Sequence, residues 1–139
     1  MKENLVRASE STIEFLTKYY AAMEAKDLVR CRAYYTDDMT VIFANAPKLE
    51  GADAFVATLS GLLEQIETLH HDVVAAWEEG DGVLIFESVA TWTLLDGNSL
   101  TIPACSVCRI VDGKFVEQQV YVDNAPLFTA LKQDETVKA

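Results

Sequence analysis

The alternation of residues 114–124, KFVEQQVYVDN, predicts a late β-strand that follows the turn Asp112-Gly113 and ends at an aspartate. Strict alternation places two sets of side chains on opposite faces. One set is nearly all apolar, as a packed layer requires, and comprises Val116, Gln118, Val120 and Val122. The other set is mixed and comprises Phe115, Glu117, Gln119, Tyr121 and Asp123. The mixed face is either wetted surface or the lining of a cavity that needs polar groups, and this choice decides the functional interpretation.

Turn signals divide the second half of the chain into an antiparallel meander. The segments Gly80-Asp81-Gly82, Asp96-Gly97-Asn98 and Asp112-Gly113 separate four runs of period two, at residues 69–78, 83–95, 99–111 and 114–122. These strands exceed the usual length of about five or six residues, so the sheet should twist and coil. A coiled sheet has a concave face that helices can close over.

The first half predicts three helices and a short strand. Ser11-Thr12-Ile13-Glu14 has the form of a capping box, which predicts that the first helix begins there. Asp27 is expected to cap a second, short helix. A strand at residues 39–43 and a third helix at residues 51–67 follow from the apolar spacing. The polar residues 133–139 are expected to be disordered.

Composition narrows the class of protein. The chain has 139 residues, half of them apolar, which predicts a single domain with its core at about residues 10–128. A net charge of −11 disfavours nucleic acid and anionic membranes as partners. The sequence has neither an apolar run of the roughly 20 residues that a membrane helix needs nor a signal-peptide core, so we expect a cytoplasmic protein. Three cysteines, an odd number, fit a reducing compartment.

Several local phrases, in this order, resemble the SnoaL-like branch of the nuclear transport factor 2 superfamily, which includes polyketide cyclases and relatives of ketosteroid isomerase. They are KYYAAMEAKDL at 18–28, YTDDMTV at 35–41, LEG at 49–51, DGK at 112–114 and YVD at 121–123, and the match covers about residues 10–128. The resemblance implies an α+β fold in which a curved antiparallel (mixed) sheet forms a cone-shaped barrel wrapped around three N-terminal helices. It also implies a sheet-to-sheet homodimer. This fold hosts several chemistries and noncatalytic domains, so the phrases specify the fold and not an activity.

The resemblance assigns catalytic roles to three residues. Asp123 matches the last-strand aspartate that acts as acid/base in SnoaL-like cyclases. Tyr19 matches the tyrosine that donates to the substrate oxygen in ketosteroid isomerases, and His71 resembles a histidine often found on the first long strand. Gln119 stands where the family often has an arginine, so a mechanism that needs a fixed cation beside the aspartate is weakened.

Steroid isomerisation by the known mechanism is excluded by the same comparison. The general-base aspartate of the isomerases falls at Phe43 in this sequence, and their protonated carboxylic acid falls at Cys105 or Ser106. None of these residues is an acid.

The residues alone leave two questions open. Asp123 could act as a general base in a half-dry pocket, or it could cap the turn before Ala125-Pro126. His70 and His71 are adjacent on a predicted strand, so they point to opposite faces and only one of them can reach a pocket. That histidine could shuttle protons, or it could be an ordinary surface or core histidine.

Metal and redox chemistry are not expected. Cys105 and Cys108 have C-x-x-C spacing, but positions three apart on a strand face opposite sides. The consecutive residues His70, His71 and Asp72 cannot converge on one ion. We therefore expect no metal and no cofactor.

The sequence predicts a protein that binds an apolar, oxygenated small molecule, with proton transfer as its chemistry if it is a cyclase, dehydratase or isomerase. Further ligand-binding residues are expected at Tyr20, Tyr35, Phe43, Trp92, Ser106, Cys108, Gln119 and Tyr121. The alternative is a noncatalytic ligand-binding or dimerisation domain whose cavity is filled by side chains.

Overall fold

A computed structural model describes residues 6–138 of the chain, and the side chains of residues 6–133. Its elements follow one another as β1 (Val6–Arg7), α1 (Glu10–Glu24), α2 (Leu28–Arg32), β2 (Tyr35–Phe43), β3 (Leu49–Glu50), α3 (Ala52–Leu63), β4 (Ile66–Glu78), β5 (Val83–Leu94), β6 (Ser99–Val111), β7 (Lys114–Val122) and α4 (Ala125–Lys138). The predicted order of two helices, a strand, a helix and four long strands is therefore confirmed.

The strands form one mixed, curved sheet in the order β1-β4-β5-β6-β7-β2-β3. Every neighbouring pair is antiparallel except β2 and β7, which run parallel. The meander from β4 to β7 confirms the turn assignments, and helices α1 to α3 pack on the concave side. The expected α+β architecture is confirmed.

The two faces of the sheet differ sharply. We call the face that is turned toward the helices the inner face; on β5 it carries a run of buried side chains, Leu84, Phe86, Ser88, Ala90, Trp92 and Leu94. The opposite, outer face carries the alternate residues, which include the exposed Glu87. The core therefore lies between the inner face and the helices.

A β-bulge in β7 reverses part of the predicted alternation. Ile110 pairs with Phe115 and Arg109 pairs with Glu117, which leaves Val116 as an extra residue in the strand. As a result Phe115 is fully buried on the inner face, and the prediction that it shares a face with Tyr121 is wrong. Strict alternation from one end of a strand cannot anticipate an inserted residue.

The N-cap of the first helix lies two residues before the predicted capping box. Ser9 is the N-cap, and its Oγ accepts a hydrogen bond from the Thr12 amide at 3.2 Å. The amide of Ser9 also donates to Oε2 of Glu78, on β4, at 2.7 Å. The prediction of a start at Ser11 is wrong because a contact with a distant strand fixes the preceding serine as the cap.

Other element ends also differ from the predictions. Asp27 caps α2 as expected, because its side chain accepts from the Arg30 amide. The third helix ends at Leu63 and Ile66 already pairs with Leu94, so the predicted helical end at residue 67 is wrong.

Helix α4 was not predicted at all. It buries Leu127 and Leu131, spaced four residues apart, and packs near β5. Its backbone continues to Lys138, through most of the segment that was expected to be disordered. Across residues 6–138, no helix is long and apolar enough to cross a membrane.

Candidate functional site

The inner face brings most of the predicted site residues to one side of the sheet. Helix α1 supplies Tyr19 and Tyr20, and the strands supply Tyr35, Phe43, His71, Trp92, Ser106 and Cys108. Their grouping follows from the sheet register, because residues paired across strands share a face. Phe43 is an example: it pairs with Val120, and Val41, two residues earlier, pairs with Gln118 on the inner face.

Four polar residues contact one another between the helices and the inner face, and we call them the tyrosine cluster. They are Tyr19, Cys31, Tyr35 and Gln118. The hydroxyls of Tyr19 and Tyr35 lie 2.6 Å apart, and Sγ of Cys31 lies 3.4 Å from the Tyr35 hydroxyl. Nε2 of Gln118 donates to the Tyr19 hydroxyl at 3.3 Å. Burial raises the pKa of both phenols far above their ordinary value, so both stay neutral. Each of the two buried hydroxyls therefore has hydrogen-bond partners within the cluster.

Gln118 is the member of this cluster that the sequence analysis missed. It was grouped with three valines as part of an apolar layer, and it does lie on that buried face. A lone glutamine among apolar strand residues was the available signal, since a buried amide needs hydrogen-bond partners. Its partner, Tyr19, is 99 residues away in sequence and could not be identified from local pattern.

A second polar group, the Glu24–His71 pair, lies where the end of α1 meets β4. Oε2 of Glu24 accepts from the His71 amide at 2.6 Å and lies 3.2 Å from Nδ1 of the same residue. The His71 side chain is 11% exposed. Its ring stacks on Tyr20, with centroids 3.9 Å apart and an interplanar angle of 21°. His71, not the 62% exposed His70, is therefore the histidine on the inner side.

The charge of Glu24 fixes the orientation of the histidine proton. Burial favours the neutral carboxyl, but the hydrogen bonds from His71 outweigh this and lower the pKa of Glu24. An ionised carboxylate only accepts hydrogen bonds, so Nδ1 of His71 carries the proton. In neutral His71 the lone pair then resides on Nε2. Glu24 was not among the predicted site residues, because nothing local links it to a strand 47 residues later.

A buried donor lies near this pair. Trp92 is 5% exposed, and its Nε1 has no hydrogen-bond acceptor among the described residues. Trp92 pairs with Leu69 across β4 and β5, and His71 pairs with Ala90. Trp92 and His71 are thus diagonal neighbours on the inner face.

Gln119, Tyr121 and Asp123 lie away from this group. Gln119 and Tyr121 are on the outer face, where Tyr121 is 54% exposed. Asp123 follows the end of β7, is exposed, and its Oδ1 accepts from the Ala125 amide at 3.0 Å. This is the turn-capping geometry that the sequence analysis held as the alternative for Asp123.

Two shallow grooves open on the outer face. One, of about 300 Å³, is bordered by Thr40, Ile42, Val107, Arg109 and Glu117. The other, of about 370 Å³, is bordered by Val74, Val89, Pro103, Cys105 and Tyr121. The position of Cys105 here and of Cys108 on the inner face confirms that the two thiols face opposite sides. Burial raises the pKa of Cys108 to about 12.

The architecture places the chain among proteins of the nuclear transport factor 2-like and ketosteroid isomerase-like fold. An NTF2-like protein of unknown function from Burkholderia pseudomallei is similar with a TM-score of 0.73 and 17% identity, over 87% of this chain and 97% of that one. A candidate SnoaL-like polyketide cyclase from Jannaschia sp. CCS1 gives a TM-score of 0.73 and 20% identity over 91% and 96%. An LEH-like epoxide hydrolase from M. tuberculosis gives 0.71 and 15% over 87% and 89%.

The sequence itself identifies the family within this fold. The family model described as the SnoaL-like domain matches residues 16–118. The chain belongs to the SnoaL-like domain family. A comparison with curated protein sequences gives no match.

Proposed function

We propose that an apolar, oxygen-bearing small molecule binds between the inner face and helices α1 to α3, and that His71 transfers a proton to or from it. The observation that carries this proposal is the Glu24–His71 pair, in which a mostly buried imidazole has one nitrogen committed to a carboxylate. Such a histidine has a defined tautomer, and its other nitrogen is the natural proton acceptor. Membership in a family that includes cyclases agrees with this class of chemistry.

In this proposal the general base is His71 and not Asp123. Its carboxylate is exposed and already accepts the Ala125 amide, whereas a general base needs a partly dry environment beside the reacting carbon. Tyr19, the donor implied by the family resemblance, lies 2.6 Å from the Tyr35 hydroxyl, and its proton is free for a ligand oxygen only if Tyr35 is the donor in that contact. We therefore treat both as residues to be tested against His71.

Native mass spectrometry of protein purified from its own host tests this proposal. The wild type is compared with one variant that adds bulk on the inner face and one that adds it on the outer face. Ala90 is small, lies on the inner face and pairs with His71, so Ala90→Leu should displace a co-purifying molecule. Its neighbour Thr91 faces outward, and Thr91→Leu is the matched control. We expect the wild type and Thr91→Leu to carry the same small molecule, and Ala90→Leu to be free of it.

The roles of individual residues follow from turnover of the molecule so identified. His71→Gln should lower the rate by about 10²-fold or more, because it removes the general base. Asp123→Asn should leave the rate unchanged. If Asp123→Asn were inactive and His71→Gln fully active, the assignment of the base would be reversed.

The rival function, a noncatalytic domain with a filled interior, is favoured by one specific observation. The Tyr19 and Tyr35 hydroxyls have partners within the tyrosine cluster, and aromatic rings pack around them. Tyr19 contacts Tyr34 and Phe115 at centroid distances of 5.4 and 4.9 Å. Under this rival, the wild-type protein carries no small molecule, and Ala90→Leu changes only stability.

We also propose that the chain forms a homodimer through the outer face. Helices do not cover this face in the described residues, and it exposes the apolar Val74, Val107 and Tyr121. It also carries Arg109 beside Glu117 on paired strands. A second copy related by a two-fold axis can therefore match apolar to apolar and acid to base.

A further inference from the structure

The helices close over the inner face of the sheet. Tyr20 of α1 contacts Phe86 of β5 with ring centroids 6.1 Å apart, and Phe86 and Cys108 are only 2% and 3% exposed. A molecule that binds between α1 and this face therefore needs a segment that moves aside. Segments that move in this way are drawn from the less stable parts of a fold.

Three nitrogen atoms of β4 surround the carboxylate at the end of α1. The amide of His71 donates to Oε2 of Glu24 at 2.6 Å, and Nδ1 of His71 lies 3.2 Å from the same oxygen. Nδ1 of His70 lies 3.5 Å from the other oxygen, Oε1. Adjacent strand residues point to opposite faces, so one carboxylate reaches both imidazoles by lying beside the edge of the strand. We call Glu24, His70 and His71 the edge clamp.

The edge clamp joins the solvent-exposed side of β4 to its buried side. His71 is 11% exposed, whereas His70 is 62% exposed. Nε2 of His70 also lies 3.2 Å from Oδ1 of Asp72, which is itself 69% exposed. His70 therefore exchanges protons directly with solvent while it contacts the carboxylate that holds α1 in place.

The groups that face the edge clamp from neighbouring elements carry no further charge among the residues that the structure describes. On α1, Tyr20 stacks on His71, and burial raises the pKa of this phenol well above its ordinary value, so it stays neutral. On β5, the residues paired with His70 and His71 are Thr91 and Ala90. The balance between the two histidines and the two carboxylates therefore sets the charge of the clamp.

We propose that the edge clamp gates the seam between the end of α1 and β4, and that a small molecule reaches the inner face through this seam. The gate rests on the proposed function and adds the regulation of its binding site. The clamp is tightest when Glu24 is ionised and His70 is protonated, because the carboxylate then holds a cation in addition to the N–H groups of His71. It loosens on either side of this state.

Two protonation steps set the pH range in which the clamp is tight. The hydrogen bond with Asp72 and the charge of Glu24 raise the pKa of His70 above its ordinary 6.5, so its contribution is complete below pH 6.5 and is lost as the pH rises through the raised pKa. Burial opposes ionisation of Glu24, but the hydrogen bonds from His71 outweigh it and lower the pKa of Glu24 from 4.5. Its contribution is complete above pH 4.5 and is lost as the pH falls through the lowered pKa.

Hydrogen exchange of the His71 amide reports the state of the clamp, because this amide donates to Glu24. The exchange rate is divided by that of an unstructured peptide at the same pH, which removes the intrinsic pH dependence. We expect the amide to be about 2- to 5-fold better protected at about pH 6 than at about pH 8.5, the range of an exposed ion pair. His70→Gln should reduce this gain, and Glu67→Gln, on an exposed residue of the same strand, should retain it. An unchanged gain in His70→Gln would remove His70 from the clamp.

Two cysteines report whether the seam opens. Cys108 is buried on the inner face, whereas Cys105 borders a groove on the outer face. Each thiolate attacks a sulfur of 4,4′-dithiodipyridine, which forms a mixed disulfide and releases 4-thiopyridine. At one fixed pH, we expect Glu24→Gln to label Cys108 about 10-fold faster or more than the wild type, since a charged hydrogen-bond acceptor is lost. Labelling of Cys105 should not change, and Glu67→Gln should match the wild type at both cysteines.

Exchange of the β6 amides separates opening of the seam from unfolding of the whole chain. Strand β6 pairs along its length with β5, so its amides exchange when the sheet unfolds. In Glu24→Gln, opening of the seam should be more frequent than opening of β6. Equal opening frequencies from Cys108 labelling and from the β6 amides would overturn the gate.

The gate and the proposed function fail separately. A molecule that co-purifies with the wild type, together with unchanged Cys108 labelling in Glu24→Gln, would overturn the gate alone. Faster Cys108 labelling in Glu24→Gln, with no co-purifying molecule in the wild type, would support a seam that opens at the clamp and overturn the proposed function.

Discussion

Glu24 connects helix α1 to strand β4 through one carboxylate. It is the last residue of α1, it accepts the amide and Nδ1 of His71, and its Oε1 lies 3.5 Å from Nδ1 of His70. Among the described residues, strand β1 pairs with β4 at Trp77 and Glu78, and the amide of His71 lies farther along β4. The same carboxylate therefore satisfies a strand edge and orients an imidazole.

Glu24 should also make stability depend on pH. Its pKa is lowered on folding from the ordinary value of 4.5, so its contribution is fully present above that value and is lost as the pH falls through the folded pKa. We expect Glu24→Gln to be less stable than the wild type at neutral pH, and the difference to shrink below about pH 4.5. Urea denaturation as a function of pH measures this difference.

The exposed Glu67 provides the control for that experiment. Glu67→Gln should change the stability very little at any pH. A pH-independent difference between Glu24→Gln and the wild type would mean that the ionised form of Glu24 is not what stabilises the fold.

At the scale of elements, the β5–β6–β7 corner depends on a close backbone approach. Gly82 precedes β5 with a φ of 97°, and its carbonyl accepts the Ile110 amide at 2.8 Å. A Cβ at this position would collide with the backbone carbonyl of Ile110. Ile110 pairs with Phe115 at the β7 bulge, so this glycine helps to fix the register that separates inner from outer side chains.

Gly82→Ala should therefore be strongly destabilising, and Gly97→Ala is its matched control. Gly97 has a φ of 92°, but nothing lies within 4 Å of the Cβ that would be added. We expect Gly97→Ala to cost about 1–2 kcal/mol for the left-handed backbone alone. Gly82→Ala should cost clearly more, and the two free energies of unfolding can be compared by urea denaturation. Equal costs would show that the corner can relax away from Ile110.

Strong periodicity in the sequence predicted whether an element is a helix or a strand, but the ends of an element were predicted only where turn residues mark them. The strands β6 and β7 have the predicted bounds because turn residues stand on both sides of each. The start of α1 was misplaced because two serines compete as caps, and a contact between Ser9 and Glu78 decides between them. Helix α4 was missed because its apolar residues are few, and its packing on the sheet is invisible in a local pattern.

At the scale of the whole molecule, the outer face is the surface through which we propose that the chain dimerises. Val107 and Tyr121 are 37% and 54% exposed there, whereas Val29 is 84% exposed on α2, away from the sheet. A stable dimer buries about 800 Å² on each partner, which a sheet face of this kind can supply.

Val107→Arg should dissociate the proposed dimer, and Val29→Arg should not. An unpaired charge in the contact is expensive to bury, so we expect about 100-fold weaker association or more. Sedimentation equilibrium measures this for both variants and the wild type. A monomeric wild type, or a dimer that survives Val107→Arg but not Val29→Arg, would move the contact away from the outer face.

The sequence by itself determined the fold class, the meander, the family resemblance and most of the aromatic residues that gather inside. These follow from local periodicity, turn residues and family phrases, all of which are properties of neighbouring residues. The tertiary structure alone decided which polar groups meet. A bulge at Val116 turned Phe115 inward, Gln118 reached Tyr19, and Glu24 reached His71. The physical reason is that a hydrogen bond is specified by distances of about 3 Å, and chain curvature and strand register set these only after the whole sheet has closed over its helices.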